Sequence, residues 1–169
     1  AAAVAVCQAI EKFTSVYPKI KWVNDIFIGD KKICGILTEA VTNFESGMMD
    51  CVVVGIGINV KTRNEEFPLE LQNTAGSIFI DDDNYIRNQL AAEIINNLLK
   101  AANNLADKSF MKSYKQRSMV LGENILYKKD NKWHEGYALD IDDYGGLVIY
   151  TEDGQKITLN SGEVSIKKK

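Results

Sequence analysis

The chain has 169 residues, 46% hydrophobic and 25% charged, enough to bury a core in one domain, or one domain and a small appendage, and too apolar for disorder. A net charge of -3 excludes a general field for nucleic acid or an acidic membrane, so an anion must be held by local geometry. Cys7, Cys34 and Cys51 are odd in number and lack CxxC spacing, against both a disulfide framework and a zinc site; they are read as reduced thiols in a cytoplasmic protein.

No apolar run approaches the ~18 residues of a membrane helix. The opening AAAVAVCQAI lacks a basic n-region and a preceding methionine, so it is read as the inside of a helix and the chain as a piece of something longer. Val4, Ile10, Phe13 and Val16 among alanines suit a mostly buried helix over 1–16, ended near Pro18. Two strands follow, IKWVNDIFI and KICGILTEAV, flanking Gly29-Asp30, a Gly-X pair that favours a tight hairpin turn. CVVVGIGINV, residues 51–60, has no alternation and predicts a strand covered on both faces.

Residues 61–83, with Pro68, Gly76 and three aspartates, read as an irregular connection. A helix then begins near residue 84, with Leu90, Ile94, Ile95, Leu98 and Leu99 as its buried stripe, and a shorter one follows over 108–116. From residue 119 short β-rich segments alternate with KKDNK, DDYGG and EDGQ, which predicts a five-stranded small barrel. The domain boundary is placed at 118, giving 1–118 and 119–169. Cys34 and Cys51 lie in apolar runs and are read as small buried hydrophobes; His134, the only histidine, lies far from both, so Cys–His catalysis has little support. Trp22 and Trp133 are read as packing residues, Arg117 as an exposed arginine and Lys167 to Lys169 as a solvated tail.

The hairpin keeps polar groups where apolar ones would bury. With a two-residue loop at Gly29-Asp30, Phe27 pairs with Lys32 and Asp25 with Cys34, and alternation puts Asp25, Phe27, Lys32 and Cys34 on one face. Asp25 and Lys32 are then diagonal neighbours, roughly 7–8 Å apart at the backbone, which a lysine bridges. Two readings are open at this point: an exposed ion pair worth ~0–1 kcal/mol, or a ligand site. The second cluster bears on the choice. Gly55 and Gly57 weaken a strand interior but permit close approach of a ligand or another backbone, and Asn59 supplies an amide at the strand's end. Tight packing or a bulge accounts for the glycines too. A dinucleotide fingerprint does not, because its third glycine would stand at Val60.

Together, KWVNDIFIGDKKICGILTE and VVVGIGINV resemble the catalytic domain of biotin protein ligases, whose patterns are Lys-Trp-Pro-Asn-Asp, Lys-x-x-Gly-Ile-Leu-x-Glu and Gly-x-Gly-x-Asn. The carboxy-terminal segment resembles the family's Src-homology-3-like final domain. The resemblance implies an α+β fold: a mixed β-sheet with helices on one face, a class II synthetase or biotin ligase-like core, plus a small β-barrel. It implies an enzyme that activates biotin with ATP to biotinoyl-AMP and transfers the biotin to a lysine of a biotin carboxyl carrier domain. Lys32 matches the catalytic lysine and Asp25 an acidic residue aligning the reacting groups. Asn24, Gly35, Ile36, Gly55, Gly57 and Asn59 match positions around biotin and the adenylate. ATP and biotin are the implied ligands, with Mg2+ carried by phosphates and water.

Val23 departs from the pattern's proline but keeps its apolar character. The family's Gly-Arg-Gly-Arg loop and the upstream biotin-cradling segment precede the helix with which this sequence starts; the 169 residues alone are expected to make biotinoyl-AMP poorly and to leave apolar surface bare. DNA binding has no support in the chain, no membrane association is expected, and a homodimer is allowed. Two rivals remain: a lipoate ligase-like acyl-adenylate transferase, and a non-catalytic interaction module with a purely structural hairpin.

Overall fold

The computed structural model describes residues 1–43, 45, 47–79 and 87–166. Helix α1, Ala2–Phe13, buries Val4, Val6, Cys7 and Ile10 along one face. Thr14 ends it by turning extended, its hydroxyl donating to Ile10 O at 2.8 Å. A four-stranded sheet follows in the order β1-β2-β3-β4, formed by β1 Lys19–Lys21, β2 Asp25–Ile28, β3 Lys31–Thr42 and β4 Met49–Ile58, every ladder antiparallel. Among the described residues parallel pairing is confined to two isolated bridges, Ile20 with Ser118 and Lys32 with Ala75.

The expected first strand is broken. Trp22, Val23 and Asn24 turn the chain back, so β1 pairs with β2 instead of continuing into it, Lys21 opposite Asp25. Three contacts hold that turn from outside: Trp22 Nε1 donates to Gly145 O at 2.8 Å, the Tyr114 hydroxyl donates to Val23 O at 2.7 Å, and Met119 N donates to Ile20 O at 2.9 Å. The Trp22–Val23 peptide bond is cis.

Helix α2, Arg87–Ala102, packs on α1, and α3, Phe110–Arg117, reaches α1 and β1, so the helices lie on one face of the sheet. The predicted stripe on α2 is narrower than expected. Leu90 and Ile94 are buried, whereas Ile95 and Leu99 are 54% and 60% exposed because they lie off the row of side chains that faces α1. The aspartates at 81–83, the helix's expected first residues 84–86 and the lysines 167–169 lie outside the described residues.

The other face of the sheet is open. Val52, Val53 and Val54 are 49%, 53% and 39% exposed, which corrects the expectation of a doubly covered strand: β4 is an edge, and because successive side chains point to opposite faces, its outer half is bare on both among the described residues. Leu37, Val41 and Met49 extend the bare apolar surface along the outer half of the β3–β4 hairpin.

After α3 five strands, β5 Asn124–Lys129, β6 Lys132–Ile141, β7 Leu147–Thr151, β8 Lys156–Leu159 and β9 Val164–Ile166, form a second antiparallel sheet in the order β8-β7-β6-β5-β9. Alternate residues Ile125, Tyr127, Ala138, Ile141, Leu147, Ile149 and Val164 point inward, as period-2 patterning requires. The strand number agrees with the expectation; no β8–β9 ladder closes a barrel among the described residues. Trp133 is 47% exposed, not packed, whereas Trp22 is buried. Arg117 is also corrected. It is buried, with Nη1 and Nη2 donating to the two carboxylate oxygens of Glu11 at 2.8 and 2.9 Å.

Candidate active site

The hairpin turn has the geometry its Gly-X pair calls for, with Gly29 at φ 57°, a left-handed conformation glycine adopts without steric cost. Ile28 pairs with Lys31 and Phe27 with Lys32, as the two-residue loop dictates. Beyond that the register shifts. Ile26 pairs with Cys34 and Asp25 with Gly35, so the expected Asp25–Cys34 pair does not form. A β-bulge inserts Ile33 between the pairs, and both Ile33 and Cys34 turn into the core beside Ile26. Cys34 thus leaves the face it was expected to share with Asp25, and burial pushes its thiol up to about 12, with Asp25 adding to the rise and Lys32 opposing it.

The bulge leaves Asp25 and Lys32 on the same side. Lys32 Nζ lies 2.7 Å from Asp25 Oδ1, and their side chains are 43% and 35% exposed: the pair is open to a ligand and is no buried strut. Beneath it lies Gly35, where a Cβ would sit 3.4 Å from Lys32 Cε, 3.5 Å from Lys32 Nζ and 3.7 Å from Asp25 Oδ1. Gly35 pairs with Gly57, and Leu37 with Gly55, while Ile56 and Ile58 turn to the core. Alternation therefore puts Gly35, Gly55 and Gly57 on the open face, a floor without side chains next to the ion pair, with Asn59 at its end on the same side.

Ile36 is 8% exposed and belongs to the core, so its backbone, not its side chain, is what it offers to this face. Asn24 sits in the turn before Asp25, its carbonyl accepting from Ile36 N at 3.1 Å. The expected site residues thus gather around one hairpin and the end of β4. Sequence reasoning missed the supports: Trp22, Tyr114 and the segment Thr74–Gly76, which pairs with Lys32. The one local signal for the last was Gly76 in an otherwise irregular stretch.

An exposed ammonium held by a carboxylate above a glycine floor suits a ligand that brings negative charge close to the backbone. Among the described residues no three His, Cys, Asp or Glu side chains cluster to hold a metal ion, and no helix is long and apolar enough to cross a membrane.

Comparison with known proteins places the chain in a class. Residues 1–59 match the Biotin/lipoate A/B protein ligase family and residues 120–167 the Biotin protein ligase C terminal domain. The chain is 36% identical over 164 residues to the bifunctional ligase/repressor BirA of Bacillus spizizenii, covering 92% of this chain and 48% of that protein. It is 27% identical over 169 residues to the biotin–[acetyl-CoA-carboxylase] ligase of Mycobacterium tuberculosis, covering 97% and 60%. A biotin protein ligase from Aquifex aeolicus, solved in complex with biotin and ATP, superposes with a TM-score of 0.78 at 26% identity over 99% of this chain and 69% of that one. The chain belongs to the biotin protein ligase family. It spans about half the length of the BirA proteins it matches.

Proposed function

We propose that this chain carries the catalytic lysine and the substrate floor of a ligase that joins biotin to a biotin carboxyl carrier domain. The observation that carries the reading is the open Lys32–Asp25 pair, 2.7 Å apart, over the glycine floor. In the first step a biotin carboxylate oxygen bonds to the α-phosphorus of ATP and the bond to pyrophosphate breaks. In the second the neutral amine of a carrier lysine attacks the acyl carbon, AMP leaves, and the amine's proton is lost to solvent.

Lys32 is the charge-stabilising group: its ammonium sits where negative charge accumulates between carboxylate and phosphate. Asp25 orients it. Gly35, Gly55 and Gly57 admit biotin and the adenylate against the strands, the Ile36 backbone runs alongside, and Asn24, in the turn before Asp25, and Asn59, at the end of β4, supply amides for polar groups of the ligands. Magnesium would enter with ATP, held by phosphates and water; a hard cation bound in that way needs few protein ligands. The boundary between the catalytic portion and the small β-domain is placed at 118. The carrier domain is the macromolecular partner, the open edge of β4 is the surface a homodimer would use, and the reduced thiols fit the cytoplasm.

Support comes from the Aquifex aeolicus relative, whose structure holds biotin and ATP, and from the Mycobacterium tuberculosis relative, named for ligation to acetyl-CoA carboxylase. The test is Lys32→Ala in the complete natural protein, followed by biotin-dependent pyrophosphate release. The rate should fall about 100- to 1,000-fold, the range seen when one positioned electrostatic donor is removed. An unchanged rate would favour the non-catalytic module. Calorimetry with biotin and with lipoate separates the two ligase readings.

A further inference from the structure

The backbone of Lys32 is held by a segment outside the hairpin. Strand β4 ends opposite Cys34, so the hydrogen-bonding groups of Lys32 that point away from β2 have no strand beside them. Residues 74–76 take that place in parallel: Lys32 N donates to Thr74 O at 2.7 Å and Gly76 N donates to Lys32 O at 2.9 Å. Two residues on, Ile78 N donates to Asn59 O at 3.0 Å and Ser77 Oγ donates to Thr62 O at 2.8 Å. One strap of five residues thus ties the backbone of Lys32 to that of Asn59, the two ends of the candidate site.

Gly76 is the point at which the strap closes on the hairpin. A Cβ there would come within 2.7 Å of Lys31 Cβ and 3.3 Å of Lys31 Cγ. Lys31 Cβ is fixed to β3 one residue from Lys32 and cannot swing aside as a side-chain tip could, while Lys31 Nζ is itself bound to the turn that leads into the strap, donating to Gln72 O at 2.7 Å. Any side chain at position 76 must therefore lift the strap off β3 and release the backbone of Lys32. We propose that Gly76 is a positioning residue for the ligase reaction, acting through Lys32, with Lys31 as the strap's second anchor; this rests on the catalytic reading of Lys32.

The experiment compares Gly76→Ala, Lys32→Ala and the double variant in the complete natural protein, by adenylation kinetics, thermal unfolding and amide exchange at Lys32. Gly76→Ala should lower kcat about 10- to 100-fold, as displacement of a reacting group by the order of 1 Å does, with KM for biotin unchanged and faster exchange of the Lys32 amide. On top of Lys32→Ala it should cost nothing further, because both act through one amine. An unchanged kcat, or a loss that simply adds to that of Lys32→Ala, overturns the proposal. A normal rate for Lys32→Ala defeats the catalytic reading instead, identifiable because the backbone amide at position 32 would still be protected by the strap. If Gly76→Ala does not fold, Lys31→Met replaces it: loss of the Gln72 anchor should lower kcat with KM unchanged, and an unchanged kcat overturns the proposal.

Discussion

Arg117→Met should destabilise the protein far more than loss of an ordinary surface arginine. Arg117 is the last residue of α3, and its fork grips Glu11 on α1 through two bonds of 2.8 and 2.9 Å. The side chains are 9% and 27% exposed. Breaking a fully buried pair by removing one partner costs ~3–5 kcal/mol, mostly from stranding the other charge. Here Glu11 keeps some access to water, which brings the expected loss to about 2–3 kcal/mol; the guanidinium also sits 4.8 Å from the Tyr17 ring, worth about 0.5–1 kcal/mol more. For a chain of this size each kcal/mol moves Tm by roughly 2–4 °C, so thermal unfolding followed by circular dichroism should show a drop of about 5–16 °C. Glu11→Gln added to Arg117→Met should restore part of it, since no charge is then left alone. A drop under about 2 °C, the scale of an exposed pair, would refute the reasoning.

On the proposed function, Gly35→Val in the complete natural protein should abolish adenylation while leaving Tm nearly unchanged, because its branches would enter the space over Lys32 Nζ and Asp25 Oδ1, where a bare Cβ already makes contact; full activity would show that no ligand uses this floor. Trp22→Phe removes the bond to Gly145 O and leaves a carbonyl unpaired at the seam with the small β-domain, a loss of about 1–3 kcal/mol by chemical denaturation. Brief alkylation at pH 8 followed by mass spectrometry should modify Cys51 alone, because Cys51 is exposed whereas burial pushes both Cys7 and Cys34 up to about 12. The same thiols set a pH limit. Unfolded cysteines ionise near 9 and the folded ones near 12, so the stability from keeping them protonated is complete below pH 9 and is lost as pH rises through that window; a flat stability profile there in urea titrations would contradict it.

Much of the site could be read without coordinates because its parts lie within forty residues and obey local rules. The Gly29-Asp30 turn sets the first two pairs of the hairpin, and strand alternation puts Asp25 and Lys32 on one side and Gly55, Gly57 and Asn59 on another strand's matching side. The helices followed from their apolar spacing, and the five short strands after residue 119 from turn residues at regular intervals. What tertiary structure alone decided has a common cause: it depends on which distant segment happens to lie alongside. The bulge that carries Cys34 to the core, the break at Trp22 held by Tyr114 and Gly145, the bare edge of β4 and the burial of Arg117 against Glu11 are each set by a partner between 8 and 123 residues away, or by the want of one. So is the strap on Lys32. Backbone hydrogen bonds carry no residue identity, and a strand that ends one pair early advertises nothing in its own sequence; only the assembled sheet shows which loop must fill the gap.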